Sequence, residues 1–333
     1  MPSPSLVTTK TPLRIGFAGG GTDLPAFYER EEGAVLNSTI DKYLYVTVKR
    51  HNRLFLENYR LNYSETEHVD SLEDIKNSIA RESLRFVGIE PPLYIGTIAD
   101  LPGSSGLGSS SSFTVGLLNA LHTFKGDSVS AAQLAEEACH IEINVLKKPI
   151  GKQDQYAAAF GGLNHFFFCP SGEVVLSPKH LPEKKIERLF DSLMLFWTGI
   201  SRSADPILLE QQVSTESKMD ELREMKRQSH EIWSLMEKDC PLKEIGGVLQ
   251  EGWENKRRLT SKISNPQFDS WYDAAIQAGA HGGKLLGAGG GGFLLFVVPE
   301  EKRDAVISVL RELTLIRVKY ESRGSQVVHL QRE

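Results

Sequence analysis

The chain has 333 residues, 40% of them hydrophobic and 24% charged, with a formal net charge of −5 at pH 7. That length accommodates one large domain or two around a substantial core, and the acidic balance argues against a general nucleic-acid binder. Cys139, Cys169 and Cys240 are widely spaced with no C-x-x-C pair, which argues against a zinc site or a disulfide framework and fits a reducing cytoplasm.

In chain order, the opening "MPSPSLVTTK" lacks the apolar core of a secretory signal. "LRIGFAGGGTDLPAFY", 13–28, runs from extended residues into three consecutive glycines, the first of three clusters among the 29 glycines. "YLYVTVKR", 43–50, is β-branched and aromatic and predicts a strand. A helix is predicted over 71–88, where Ser71 and Asp74 resemble a capping box and Leu72, Ile75, Ile79 and Phe86 recur at helical spacing. "PLYIGTIADLP", 92–102, reads as a strand feeding the second cluster, "LPGSSGLGSSSS", 101–112. "FTVGLLNALHTF", 113–124, is apolar nearly all round and reads as a buried helix. The next helix, 130–147, opens on a Ser130/Gln133 capping box and turns Leu134, Ala138, Ile141 and Val145 inward. "KPIGKQDQYAAAFGG", 148–162, breaks on Pro and Gly and then looks helical. Strands are predicted at 163–168 and 193–199, and helices through most of 204–260, with Met219, Leu222, Met225, Ile232 and Leu235 on one face. A composition change at 180–190 suggests a boundary dividing 1–185 from 186–333. Two short apolar strands flank the third cluster, "GAGGGG", 287–292; the second of them, "FLLFVV", is the longest clean apolar run and far too short to span a membrane. Strands and helices without strict alternation indicate an α+β fold.

The second cluster packs three glycines and six serines into Leu101–Ser112. It has no lysine, so it is not a Walker A loop, and Ser111 stands where G-x-G-x-x-G needs its last glycine. The third cluster meets that pattern through Gly287, Gly289 and Gly292, but a strand follows where a helix is required. For Leu101–Ser112, two readings remain, a flexible surface loop and an anion cradle. Gly103, Gly106 and Gly108 let backbone N–H groups turn inward, and Ser109 to Ser112 sit where the buried helix begins. Unpaired amides and the positive end of the helix dipole converge there, and the natural occupant is a phosphate chain. Ser104, Ser105 and Leu107 complete the loop; Ser110 and Ser111 add hydroxyls that can donate hydrogen bonds or coordinate Mg²⁺.

A triphosphate held without a P-loop lysine needs Mg²⁺ and other basic residues for charge neutralisation. Glu142 lies at the edge of the inward stripe, where it either reaches a metal at the cradle or is a solvated helix charge; Glu136 and Glu137 read as solvated. Asp154 in "GKQDQ" is either a helix cap or a functional acid. Together, one carboxylate for a metal and one for an attacking hydroxyl make the minimum set for phosphoryl transfer.

On these residues the chain resembles the GHMP kinases: "PLRIGFAGGGTDLP", "LPGSSGLGSSSS" and "LLGAGGGGFLLF" are similar to the family's three motifs, in its order. The resemblance implies a two-domain fold, with a ribosomal-S5-like N-terminal domain, a ferredoxin-like C-terminal domain and the site between them. It implies ATP and Mg²⁺, with the metal on Ser110 and Glu142, and Asp154 as the catalytic acid that accepts or orients the acceptor proton. Arg14 falls where some members carry a lysine near the transferred phosphoryl. Gly20, Gly21, Thr22 and Asp23 would line the sugar pocket, although Asp23 also suits a turn. Gly289 and Gly290 would approach the substrate with bare backbone.

"FAGGGTDLPAFY", "YSETEHVD", "GKQDQYAAAFGG" and "WTGISRSA" are most similar to sugar 1-kinases acting on D-glycero-D-manno-heptose 7-phosphate, with fucose and N-acetylhexosamine 1-kinases as neighbours. Arg202, Lys152 and Lys10 are then candidates for the sugar's remote phosphate. The implied partners are ATP and a small sugar phosphate, in the cytoplasm, with a dimer left open. A non-catalytic sugar- and ATP-binding regulator on the same fold is the alternative of another class, and the intact set Ser110, Glu142 and Asp154 argues against it.

Overall fold

The computed structural model describes residues 4–52, 54–201 and 205–332. Two long antiparallel strands, β1 (Pro4–Ala18) and β2 (Gly33–Arg50), form the spine of the first sheet, joined through the first glycine cluster and the one-turn helix α1 (Pro25–Tyr28). Thr22 fixes this connection: its hydroxyl donates to the Gly19 carbonyl at 2.8 Å and accepts from the Ala34 N–H at 3.0 Å. β3 (Tyr59–Asn62), β4 (Thr66–Val69), β5 (Leu93–Ala99), β6 (Leu163–Phe168) and β7 (Val174–Pro178) extend the sheet. β2 is shared along its length, Gly33–Ser38 pairing with β6 and Leu44–Arg50 with β5. In that second half Leu44, Val46 and Val48 alternate into the core, the period-two pattern that made 43–50 recognisable.

The helices of this half cover one face. α2 (Ser78–Val87) begins at Ser78 rather than at Ser71. The reason lies in β4, where the Glu67 carboxylate accepts from the Lys76 and Asn77 N–H groups at 2.6 and 3.0 Å and holds that segment out of the helix. Asn77 then caps α2 by accepting from the Ala80 N–H at 3.0 Å, while Ser71 caps only a short 3₁₀ turn. α3 (Ser109–Lys125) starts on the serines themselves and is buried nearly all round. α4 (Ala131–Cys139) is capped by Ser130, which accepts from the Gln133 N–H at 3.1 Å; the Gln133 side chain turns to Glu137 instead of closing the box.

The predicted 130–147 helix does not run on regularly. His140–Val145 is a π-helical segment, and its wider turn shifts the phase of the residues after it. Leu134, Ala138 and Ile141 stay inward, whereas Val145 is 43% exposed. α5 (Gln153–Phe160) then leads to β6.

α6 (Glu183–Ser192) delivers the chain to β8 (Leu193–Trp197) and a second sheet. α7 (Asp205–Ser214), α8 (Met219–Glu237), α9 (Leu242–Arg257) and α10 (Pro266–Gln277) come next, then β9 (Gly282–Leu285), β10 (Phe293–Val297), α11 (Arg303–Val309) and β11 (Thr314–Ile316). The antiparallel order β11-β8-β10-β9 is that of a ferredoxin-like unit. Leu222, Met225 and Ile232 of α8 are buried, as their spacing requires, and Trp253, Phe268 and Phe296 fill the second core. Finally β12 (Gln326–Arg332) returns to pair with β1.

The halves share a wall. Leu13, Ile15 and Phe17 of β1 pack in one cluster with Leu195, Leu295, Ile245 and Leu249 from the second half. Burying side chains of this size is worth about 1.5–3 kcal/mol each, so the two halves are firmly seated. Among the described residues no helix is long and apolar enough to cross a membrane.

Candidate active site

Beside that shared wall lies a cleft of about 350 Å³, lined by all three glycine clusters. The second cluster is a shaped loop, with Ser104, Gly106 and Gly108 at φ of 53°, 83° and 78°. It is clasped by the third: a Cβ on Gly106 would meet the Leu286 carbonyl oxygen at 2.7 Å, and one on Gly292 would meet the Ser105 carbonyl oxygen at 2.2 Å. Bare backbone is therefore required on both sides of the contact, and the flexible-loop reading fails.

Ser104, Ser105, Gly106, Gly108, Ser109, Ser110 and Ser111 border the cleft. Among the described residues α3 has no side-chain N-cap, which leaves its first amides open towards this space, and the buried Ser105 and Ser109 hydroxyls have no partner. Leu107 is buried beneath, its carbonyl accepting from the Arg14 N–H at 3.0 Å, and the Gly103 carbonyl accepts from the Ser201 hydroxyl at 3.2 Å.

Facing the loop, Arg14 of β1 holds Asp154 of α5 in a bidentate pair, Nε to Oδ1 at 2.7 Å and Nη2 to Oδ2 at 2.8 Å. Its remaining nitrogen, Nη1, donates to the Gly106 carbonyl at 2.6 Å. One guanidinium thus ties strand, acid and loop together, with the geometry that Arg alone provides. Asp23 lies close by, fully buried; its Oδ1 accepts from the Gly21 N–H at 3.0 Å and its Oδ2 from the Gln153 N–H at 3.3 Å. Burial pushes the Asp23 carboxyl above its usual range and the Asp154 charge adds to this, while those hydrogen bonds oppose it.

The π-helical segment places Glu142. Its carboxylate is fully buried, accepting from the Ser110 hydroxyl at 2.6 Å and from the Gln155 amide at 2.8 Å. After the π turn the chain doubles back, and the Lys148 ammonium donates to Ser110 Oγ at 3.0 Å and to Glu142 Oε1 at 3.1 Å. Two oxygen ligands thus already converge on a cation. Among the described residues no three of His, Cys, Asp and Glu come together as a metal cage. A hydroxyl and one carboxylate, completed by phosphate oxygens and water, is the manner in which Mg²⁺ is usually held, so the donor set fits that ion.

The remaining candidates divide. Gly20, Gly21, Asp23 and Gly289 border the cleft. Thr22 is occupied in the turn, and Gly290 donates its N–H to the Ile263 carbonyl at 2.9 Å. Lys152 does not join the cluster; its ammonium donates to the Gly172 carbonyl at 2.5 Å and lies over the Tyr28 ring. Lys10 pairs with Glu321 and Tyr43, and Arg202 lies outside the described residues.

Three cleft-lining lysines escaped the sequence reading: Lys148, Lys256 and Lys284. Lys284 carried a signal, as the one charge in an otherwise apolar strand beside the third cluster; Lys256, within "WENKRR", carried none.

The sequence pattern of the GHMP kinases N terminal domain matches residues 74–162, and that of the GHMP kinases C terminal domain matches 216–313. A Campylobacter jejuni protein named D-glycero-alpha-D-manno-heptose 7-phosphate kinase is 30% identical over 317 residues, covering 92% of this chain and 93% of its own. An L-fucokinase/L-fucose-1-P guanylyltransferase from Bacteroides fragilis is 27% identical over 94% of this chain and 36% of its own greater length. Among solved structures, a D-glycero-D-manno-heptose 1-phosphate kinase from Bacteroides thetaiotaomicron superposes with a TM-score of 0.80 at 26% identity, covering 98% of this chain and 99% of that one.

Proposed function

Because the chain belongs to the GHMP kinases and matches a sugar kinase of that family along nearly its whole length, we propose that this phosphotransferase takes as its acceptor the anomeric O1 hydroxyl of D-glycero-D-manno-heptose 7-phosphate, using ATP and giving the 1,7-bisphosphate. Such a product suits nucleotide-activated heptose and surface-polysaccharide assembly in the cytoplasm. The acceptor is supported by the likeness to the Campylobacter jejuni heptose 7-phosphate kinase, and the phosphoryl-transfer chemistry by the Arg14–Asp154 pair set against the Gly106 carbonyl at the mouth of the serine loop. That arrangement puts an oriented carboxylate beside the place where a terminal phosphoryl would end.

The α3 amides and the Ser109–Ser111 hydroxyls cradle the triphosphate. Ser110 and Glu142 would hold Mg²⁺, which supplies charge neutralisation at the phosphates. Lys148, now bridging those two ligands, is free to turn to a phosphate oxygen. Asp154 accepts a hydrogen bond from the O1 hydroxyl and takes its proton as the new O–P bond forms and ADP leaves. Arg14 fixes the acid and lends positive charge to the transferring group. Gly20, Gly21 and Asp23 form the sugar side, where the Asp23 carboxylate, oriented by the Gly21 and Gln153 N–H groups, accepts from a sugar hydroxyl.

A panel of sugars tests the acceptor. With Mg·ATP, heptose 7-phosphate should give the highest kcat/KM, by at least about tenfold over heptose, L-fucose and N-acetylhexosamines, with phosphate found at O1 of the product. Faster turnover of fucose would move the enzyme to the L-fucokinase side of the family. No ATP consumption with any sugar would return the non-catalytic alternative.

A further inference from the structure

Lys256, at the end of α9, and Lys284, on β9, are only 6% and 9% exposed, yet both border the cleft. Lys284 donates to the Phe17 carbonyl at 3.0 Å; Lys256 donates to the Leu285 carbonyl at 3.0 Å and to that of Gly287. Carbonyls, and for Lys256 the Trp253 ring at 5.9 Å, are their partners; among the described residues no carboxylate pairs with either. Lysines this deeply buried are ordinarily paired with an acid, and carbonyl dipoles only partly offset the lost hydration. The strain is visible in their basicity. Burial, reinforced by the Arg14 charge, pulls Lys284 down to about 8, and Lys256 is held well below its usual range by burial and by the charges of Lys284 and Arg14. This wall of the cleft is short of negative charge.

The acids around the cleft whose contacts are described have partners of their own: Asp154 is held by Arg14, Asp23 accepts from the Gly21 and Gln153 N–H groups, and Glu142 is engaged by Lys148, Ser110 and Gln155. The phosphate chain of ATP has its own partners in the α3 amides and the serine loop. The two lysines come from the other half of the molecule. Lys284 is anchored where β1 runs into the Gly20–Asp23 segment, on the side of the cleft that the proposed acceptor would occupy.

We propose that Lys256 and Lys284 form a second anion site, and that it takes the phosphate the acceptor sugar already carries; this rests on the acceptor reading above. Two ammonium groups meeting one phosphate dianion make short, charge-assisted hydrogen bonds. An unphosphorylated sugar leaves both cations buried and unpaired, so the pair selects for a sugar phosphate by penalising its parent.

Calorimetric titration without nucleotide, using heptose 7-phosphate and heptose, tests this. The wild-type protein should bind the phosphorylated sugar at least about tenfold more tightly. In Lys256→Met and in Lys284→Met that ratio should fall towards one, while Mg·ATP affinity stays within about twofold. Met keeps the length of the chain without the charge, and Lys256→Arg, which keeps the charge, should retain part of the preference if the Met variants prove poorly folded. A wild-type protein with no preference for the phosphorylated sugar overturns both the acceptor reading and this one. A preference that survives both Met substitutions overturns the lysine assignment alone. Loss of Mg·ATP affinity with the sugar ratio unchanged assigns the lysines to the nucleotide and overturns it too.

Discussion

Asp154 shows how one carboxylate can be read from sequence and still need its neighbours for a role. Its position in "GKQDQ" suited a helix cap as well as chemistry; in the structure its carboxylate caps no N–H among the described residues and is turned to Arg14 at the cleft. Asp154→Asn keeps the shape and loses the proton acceptor, so kcat should drop at least about 100-fold while ATP affinity barely changes. Steady-state kinetics with a parallel ATP titration reads both, and near-normal turnover would remove Asp154 from the mechanism. Carboxylates and hydroxyls stand out beside a serine-rich helix start, which is why Asp154, Glu142 and Ser110 could be singled out in the sequence, and the fold does bring them to the loop. Cations were less legible. On a regular helix Glu142 and Lys148 would not share a face; the chain leaves the helix after Val145 and reverses through Lys147, at φ 54°, which brings the Lys148 ammonium back onto the carboxylate.

Glycine-rich segments announced themselves as a set, but their contact with one another was not legible, because it joins parts of the chain far apart in sequence. The second and third clusters touch backbone to backbone at Gly106 and Gly287. Gly106→Ala adds a methyl at φ 83°, against a carbonyl oxygen 2.7 Å away. It should cost at least about 1–2 kcal/mol of stability and weaken ATP binding with it. Gly103→Ala, where a Cβ meets nothing within 4 Å, should be nearly neutral. Thermal unfolding and nucleotide titration of the pair check this; equal effects would mean the clasp does not shape the loop. Helix boundaries failed for a related reason. The start of α2 is set by Glu67 on β4, a tertiary contact that outweighs the local Ser71 signal. Elements whose apolar pattern was continuous fared better: β10 matches its prediction to within a residue, and α3 matches at its C-terminal end while starting a turn earlier, on the serines.

Across the whole molecule, the cleft holds cations that the fold alone does not favour. Lys284 sits at about 8 against 10.5 for a free lysine. Below about pH 8 it is charged in both the folded and the unfolded chain, and the cost of burying it is felt in full. As pH rises from about 8 towards 10.5 the folded chain releases the proton first, and that cost is relieved. Lys284→Met should therefore melt above the wild type near neutral pH, with the gap in Tm narrowing between about pH 8 and pH 10. Calorimetric scans of both proteins read this, and a gap that ignores pH would mean that Lys284 is not a strained cation. A site that lowers the stability of its own scaffold is the ordinary mark of one built to receive something.

The return of β12 bears on how such a chain is made. β1 leaves the ribosome long before β12, yet Pro4 pairs with Arg332. Until then one border of the first sheet stands open, with a row of N–H and C=O groups able to recruit any passing strand. Everything between, the second sheet included, must be synthesised before β12 covers β1 and becomes the sheet's edge in its place. Nascent chains stalled short of Gln326 should therefore be the most prone to associate with one another, and the most dependent on a holding chaperone.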